Sequence, residues 1–230
     1  MKTIGLIGGM SWESSIEYYR IINQKVREKL GGTHSAKCVM VSVDFAEIEI
    51  LQHEARWQEA TQMLIDAAKH LEAAGADFIV LCTNTMHKMA EAIQKNTSIP
   101  FLHIADATAQ KVHSTGISTI GLLGTRFTME EDFYKGRLSR NFGLKVVVPE
   151  ENDRKMIHHV IYEELVKGII RPESRSEFLK VIEKLISEGA HGVILGCTEI
   201  GLLVKEGDCR VPVFDTTRIH AEAAVAFALE

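Results

Sequence analysis

Apolar and polar positions follow two rhythms along this chain. Four stretches are continuously apolar: TIGLIG at 3–8, FIVLC at 78–82, TIGLLG at 119–124 and GVILG at 192–196. Short apolar runs bounded by Gly or polar clusters predict strands buried on both faces, as in a parallel sheet covered by helices. Between them the period lengthens. In MLIDAAKHLEAAG (63–75), Leu64, Ala68 and Leu71 recur near helical spacing, as do Phe178, Ile182 and Leu185 in FLKVIEKLISEG (178–189). Each of these helices ends at a Gly suited to the position just past a helix C-terminus. A final helix is predicted from about Thr217 to Leu229.

The same pattern occurs twice. AAGADFIVLCTNT (73–85) aligns with SEGAHGVILGCTE (187–199), with Gly75 and Gly189 standing 114 positions apart. IGLIGG (4–9) aligns with IGLLGT (120–125) at an offset of 116, and PFLHIADATA (100–109) with PVFDTTRIHA (212–221) at 112. Three matches in one order imply a duplicated α/β unit, with small loop insertions accounting for the drift. Each unit reads as strand, loop, helix, strand, helix, strand. The expected division is a first unit over 1–105, joined by the C-terminal stretch 212–230, and a second over 106–211.

Composition narrows the function classes. The chain has 230 residues, 46% hydrophobic and 25% charged, with net charge −5 and no Lys/Arg block. That is globular material without the basic stripe of a nucleic-acid binder. No apolar 18-mer and no signal-peptide core are present, so a cytoplasmic location away from membranes is expected. Cys38, Cys82, Cys197 and Cys209 show no CxxC spacing, so reduced thiols and no metal site are expected.

Chemistry is expected where the predicted strands end, because parallel α/β sheets bind ligands at their carboxyl ends. Thr83-Asn84-Thr85 follows FIVLC, and Cys197-Thr198-Glu199 follows GVILG. Gly8-Gly9-Met10-Ser11 and Gly124-Thr125 occupy the corresponding loops after the other two runs. If a pseudo-two-fold axis relates the halves, Thr83 and Cys197 form opposite walls of one cleft. Two facing groups at one carbon suit racemisation, in which one group removes an α-proton and another returns it from the other face. A thiol serves if its pKa falls from about 8.5. Gly8-Gly9 lacks the GxGxxG pattern of a dinucleotide loop and reads as a cradle of backbone amides for a carboxylate, with Met10 and Ser11 beside the substrate.

IGLIGGMSWES, CTNTMH and GCTEI together resemble the aspartate/glutamate racemase family, over essentially the whole chain, and look closest to its bacterial broad-specificity amino-acid racemases. The resemblance implies two Rossmann-like domains, an active site in the cleft between them, a homodimer, an amino-acid substrate and no cofactor. It also implies two acid/base cysteines. The second falls on Cys197, serving the L-enantiomer's α-proton. The first falls on Thr83, a departure from the pattern. Cys82 stands one place too early, and alternation along the strand turns it toward the core. Asn84, Thr85 and Thr198 are implied as carboxylate donors and carbanion stabilisers, with Thr125 at the equivalent loop. Lys167, in YEELVKGI, is implied for the side-chain carboxylate of an acidic substrate. Its family Arg partner is absent from VDFAEIEILQHEARW, where Gln52 is the best match and Arg56 the alternative. His87, four residues past Thr83, is a structural or supporting histidine. Glu199 is either a helix-start carboxylate or the group that orients a Cys197 activator. Rival readings are a racemase of neutral amino acids such as homoserine, hydantoin racemisation, arylmalonate decarboxylation, and a non-catalytic amino-acid sensor.

Overall fold

All four apolar runs form strands in the computed structural model, which describes residues 1–230. The chain divides into two units, Met1–His103 with His220–Glu230, and Ile104–Ile219. Each unit carries one four-stranded parallel sheet.

The first unit runs β1 (Ile4–Gly8), α1 (Trp12–Leu30), β2 (Cys38–Ser42), α2 (Phe45–His53), α3 (Trp57–Ala73), β3 (Phe78–Leu81), a 3₁₀ turn (Thr85–Met89), α4 (Ala90–Lys95) and β4 (Phe101–Leu102). Its sheet order is β2-β1-β3-β4. The second runs α5 (Ile104–His113), β5 (Thr119–Gly124), α6 (Arg126–Glu130), α7 (Asp132–Phe142), β6 (Lys145–Val147), α8 (Glu151–Glu163), a 3₁₀ turn (Leu165–Lys167), α9 (Pro172–Ser187), β7 (Val193–Gly196), α10 (Ile200–Leu203) and β8 (Val213–Asp215). Its order is β6-β5-β7-β8. The last helix, α11 (Thr216–Leu229), starts in the second unit and contributes its residues from His220 onward to the first.

Strand register repeats the sequence duplication. Gly5 pairs with Ile79 and Gly121 with Val193, which are equivalent positions of the two copies. The sequence pattern missed one strand per unit. β4 has two residues and β8 three, too few to show a period. Because β8 pairs with β7, residues 213–215 lie in the second sheet.

In the first unit, side-chain alternation splits the interior into two layers. Ile7, Ile79 and Leu81 pack with Ile48 of α2 and with Leu64 and Leu71 of α3. Ile4, Leu6, Phe78, Val80 and Cys82 pack with Tyr18 and Ile22 of α1 and with Ala221, Ala224 and Val225 of α11. Burying each large aliphatic chain contributes about 1.5–3 kcal/mol, so both layers are needed to hold the strand ends in place. No helix is long and apolar enough to cross a membrane.

Candidate active site

The loop after β1 is built around Gly9. Its φ is +94°, and a Cβ there would collide with the Val43 backbone. Val43 N–H donates to the Gly8 carbonyl at 3.0 Å, tying this loop to the end of β2. Gly9 N–H donates to Ser15 Oγ at 2.9 Å, and Ser15 Oγ donates to the Ser11 carbonyl at 2.9 Å. The expected carboxylate cradle is therefore corrected at Gly9, whose amide is engaged inside the loop. Met10 and Ser11 are buried at the start of α1.

Past β3, alternation places Cys82 in the core, with Sγ 3.8 Å from the Val80 carbonyl. Burial pushes that thiol far above its ordinary pKa. Thr83, Asn84 and Thr85 follow, all buried. The Thr83 carbonyl accepts from His87 Nδ1 at 2.6 Å. His87 Nδ1 carries its proton, because a carbonyl oxygen cannot donate.

Gln52 lies on α2, buried, with Nε2 donating to Met86 Sδ at 3.0 Å. Arg56, the alternative, is exposed and paired with Glu59 at 2.7 Å and Glu54 at 2.8 Å. A cation spent on two neighbouring carboxylates is a poor substrate ligand, so Gln52 is the better placed of the two.

In the second unit, Thr125 caps α6, its Oγ1 accepting from Thr128 N at 3.3 Å and lying 3.2 Å from Thr128 Oγ1. At the end of β7 the chemistry converges on one carboxylate oxygen. Cys197 Sγ donates to Glu199 Oε2 at 3.0 Å, and Thr198 Oγ1 donates to the same oxygen at 2.8 Å. Cys197 is 7% exposed and Glu199 1%. Burial first, then the Glu199 charge and the hydrogen bond to it, push the Cys197 pKa well above its ordinary value. At rest this residue is a thiol. The pKa lowering expected of a racemase base is not found here, because burial and, after it, the neighbouring Glu199 both disfavour the thiolate. The turn is fastened by α11: Thr216 Oγ1 donates to the Leu195 carbonyl at 2.7 Å, and Thr217 Oγ1 to the Thr198 carbonyl at 3.2 Å.

Lys167 ends the 3₁₀ turn after α8, half exposed, with Nζ 2.8 Å from Glu163 Oε2. Any anion that takes Lys167 must share it with this partner or displace it.

One supporting side chain, Met86, which holds Gln52, lay outside the expected set, and Glu199 holds Cys197 and Thr198 themselves rather than an intermediary group. The i, i+4 step from Thr83 to His87 was a legible signal, whereas the reach of Gln52 to Met86 across 34 positions was not.

A family model described as Asp/Glu/hydantoin racemase matches residues 7–224. The chain is 26% identical over 175 residues to the broad specificity amino-acid racemase RacX of Bacillus subtilis (strain 168), covering 73% of this chain and 72% of that one. A crystal structure from Yersinia pestis, provisionally assigned as an Asp/Glu racemase, superposes with TM-score 0.92 at 56% identity over all of both chains. An aspartate racemase homologue from Pyrococcus horikoshii OT3 superposes with TM-score 0.86 at 38% identity, again over all of both chains.

Proposed function

The chain belongs to the Asp/Glu/hydantoin racemase family, and from that premise we propose that this amino-acid racemase works without a cofactor on the α-carbon of aspartate or glutamate, with Cys197 as the L-face group and Thr83 as its counterpart. The observation that carries the reading is the hydrogen bond from Cys197 to Glu199.

The resting thiol must lose its proton before it can act as a base. Glu199 Oε2 is the acceptor already in contact with it. The substrate supplies the missing charge, because its α-ammonium comes close to the sulfur and favours the thiolate. The S–H proton moves to Glu199. The thiolate then takes the α-proton, re-forming S–H as the C–H bond breaks, and the electron pair stays on the substrate as a carboxylate-stabilised carbanion. Asn84, Thr85, Thr125, Met10 and Ser11 are the proposed binding set around the α-carboxylate. Thr198 is proposed to act there as well, by turning its hydroxyl away from Glu199. Donors aimed at developing charge are worth about 2.7–4 kcal/mol each.

Return of a proton to the same face gives exchange with retention. Inversion requires a proton from the Thr83 side, delivered by its hydroxyl or by a water that it holds. Solvent then restores the Thr83 proton and removes the one left on Glu199. A neutral hydroxyl is a far weaker acid than a thiol and a far weaker base than a thiolate, so inversion is the slow branch.

Gln52 supports a second reading, in which polar neutral amino acids are also substrates. An amide stands where a cation would select acidic side chains, and Lys167 is already paired with Glu163. A homodimer in the cytoplasm completes the proposal.

¹H NMR of L- and D-aspartate, glutamate and homoserine with the enzyme in D₂O tests it. Rapid loss of the α-proton signal is expected for the acidic L-substrates. Cys197→Ala should abolish that loss while stability changes by about 1 kcal/mol or less. Exchange that survives in Cys197→Ala identifies a different base and overturns the reading.

A further inference from the structure

We infer that His87 is the positioning residue for Thr83, holding the chain turn that presents the Thr83 hydroxyl. This rests on the reading of Thr83 given above.

A buried carbonyl needs a donor, because leaving it unmatched costs about 1–3 kcal/mol. The two copies of the repeat meet that need differently. In the second, the Cys197 carbonyl accepts from a main-chain amide, Ile200 N, at 3.1 Å. In the first, the equivalent Thr83 carbonyl accepts from a side chain, His87 Nδ1, at 2.6 Å. His87 has no counterpart in the repeat. The matching position is Gly201, where an added Cβ would meet Asp215 Oδ2 at 2.6 Å. The imidazole is thus a feature of the threonine copy alone.

The ring is fixed from several sides. Its centroid lies 4.6 Å from that of His103, 5.4 Å from Phe101 and 5.8 Å from His220, each at a steep angle. His220 is itself held at both nitrogens, Nδ1 against Tyr18 Oη and Nε2 against the Leu102 carbonyl, each at 2.9 Å. The Leu102 carbonyl fixes His220 with its proton on Nε2, so Nδ1 accepts from Tyr18. This packing keeps His87 from turning, and the His87 bond keeps Thr83 from turning. Cys197 is held by its own turn, whereas Thr83 depends on His87, so loss of His87 falls more heavily on inversion than on exchange at the Cys197 face.

The test uses two substitutions in the whole enzyme. Asn places a donor nitrogen close to where imidazole Nδ1 stands, whereas Leu fills similar space without a donor. His87→Leu should slow inversion, followed by chiral chromatography, by about tenfold or more. Deuterium wash-in to the L-substrate with retention should fall by a clearly smaller factor. His87→Asn should recover most of the inversion rate. Equal behaviour of Leu and Asn, or a proportional fall of wash-in and inversion, overturns the inference. Thr83→Ala, measured alongside, separates the two levels. Slow inversion in Thr83→Ala with wild-type inversion in His87→Leu rejects His87 alone. Wild-type inversion in Thr83→Ala rejects the Thr83 reading and this inference with it. Should His87→Leu fail to fold, His87→Gln serves in its place, since its amide extends beyond the Nδ1 position.

Discussion

Cys197 and Glu199, two positions apart at the end of β7, share a hydrogen bond of 3.0 Å in which the thiol donates and the carboxylate accepts. The carboxylate therefore opposes thiolate formation in the resting enzyme while offering a place for the proton to go. Glu199→Gln separates these effects. The substitution removes the negative charge that raises the Cys197 pKa and leaves a neutral amide in its place, so the thiol should titrate at lower pH than in the wild type. Exchange should nevertheless slow, because the proton acceptor is gone. The difference in 240 nm absorbance between each enzyme and its Cys197→Ala derivative follows the titration. An unchanged or higher midpoint would mean that Glu199 does not govern this thiol.

Thr83→Cys should accelerate inversion in both directions together. Enantiomers have equal free energy in achiral water, so kcat/KM must match in the two directions whatever stands on either side. A slow second group can delay inversion, but it cannot make it one-way. Chiral chromatography from each pure enantiomer measures this. Acceleration from one enantiomer alone would contradict the thermodynamics and point to product inhibition. No acceleration in either direction would show that position 83 is not where the second proton moves.

Lys167→Met should raise KM for aspartate and glutamate by about tenfold, the low end for a charged hydrogen bond of about 1.5–3 kcal/mol. The low end applies because the Lys167 ammonium is half exposed and already shared with Glu163. Homoserine kinetics should be unchanged. Equal losses on acidic and neutral substrates would remove Lys167 from side-chain recognition.

His220 sets a pH dependence of stability. Burial lowers its pKa from 6.5 to about 4, so the folded chain keeps it neutral while the unfolded chain takes up a proton across that interval. Its contribution is fully present above about pH 6.5 and is lost as pH falls toward 4. The ceiling is about 3 kcal/mol, since each pKa unit is worth about 1.4 kcal/mol. Urea unfolding at pH 7 and pH 4.5 should show a smaller loss in His220→Gln than in the wild type. Parallel losses would mean that other groups carry the acid sensitivity.

The repeat was legible because its signal is dense: a glycine-punctuated apolar run, then a polar cluster, twice, about half a chain apart. The same density made the alternation of Cys82 and Thr83 readable, and the core placement of Cys82 follows from it. β4 and β8 were not legible, because two and three residues are too few for an alternation to repeat. The Lys167–Glu163 pair was written in the sequence as an i, i+4 spacing that favours ion pairing on one face. The Cys197–Glu199 bond was not, because an i, i+2 contact depends on where the strand stops. The engagement of the Gly9 amide by Ser15 escaped for a related reason: six residues separate them, and the loop's path decides whether they meet.

The route of α11 bears on how the protein comes into being on the ribosome. Ala221, Ala224, Val225 and Ala228 belong to the same core as Ile4, Leu6 and Phe78, and Lys2 N–H donates to the Ala228 carbonyl at 2.8 Å. The segment translated first thus has one layer of its interior left open until residues translated after the whole second unit arrive to fill it. The second unit, Ile104–Ile219, is a continuous stretch of chain. Order of synthesis and order of completion are therefore reversed: the early-made half waits, and the Thr83 turn gains its His220 support only when translation has passed through α11.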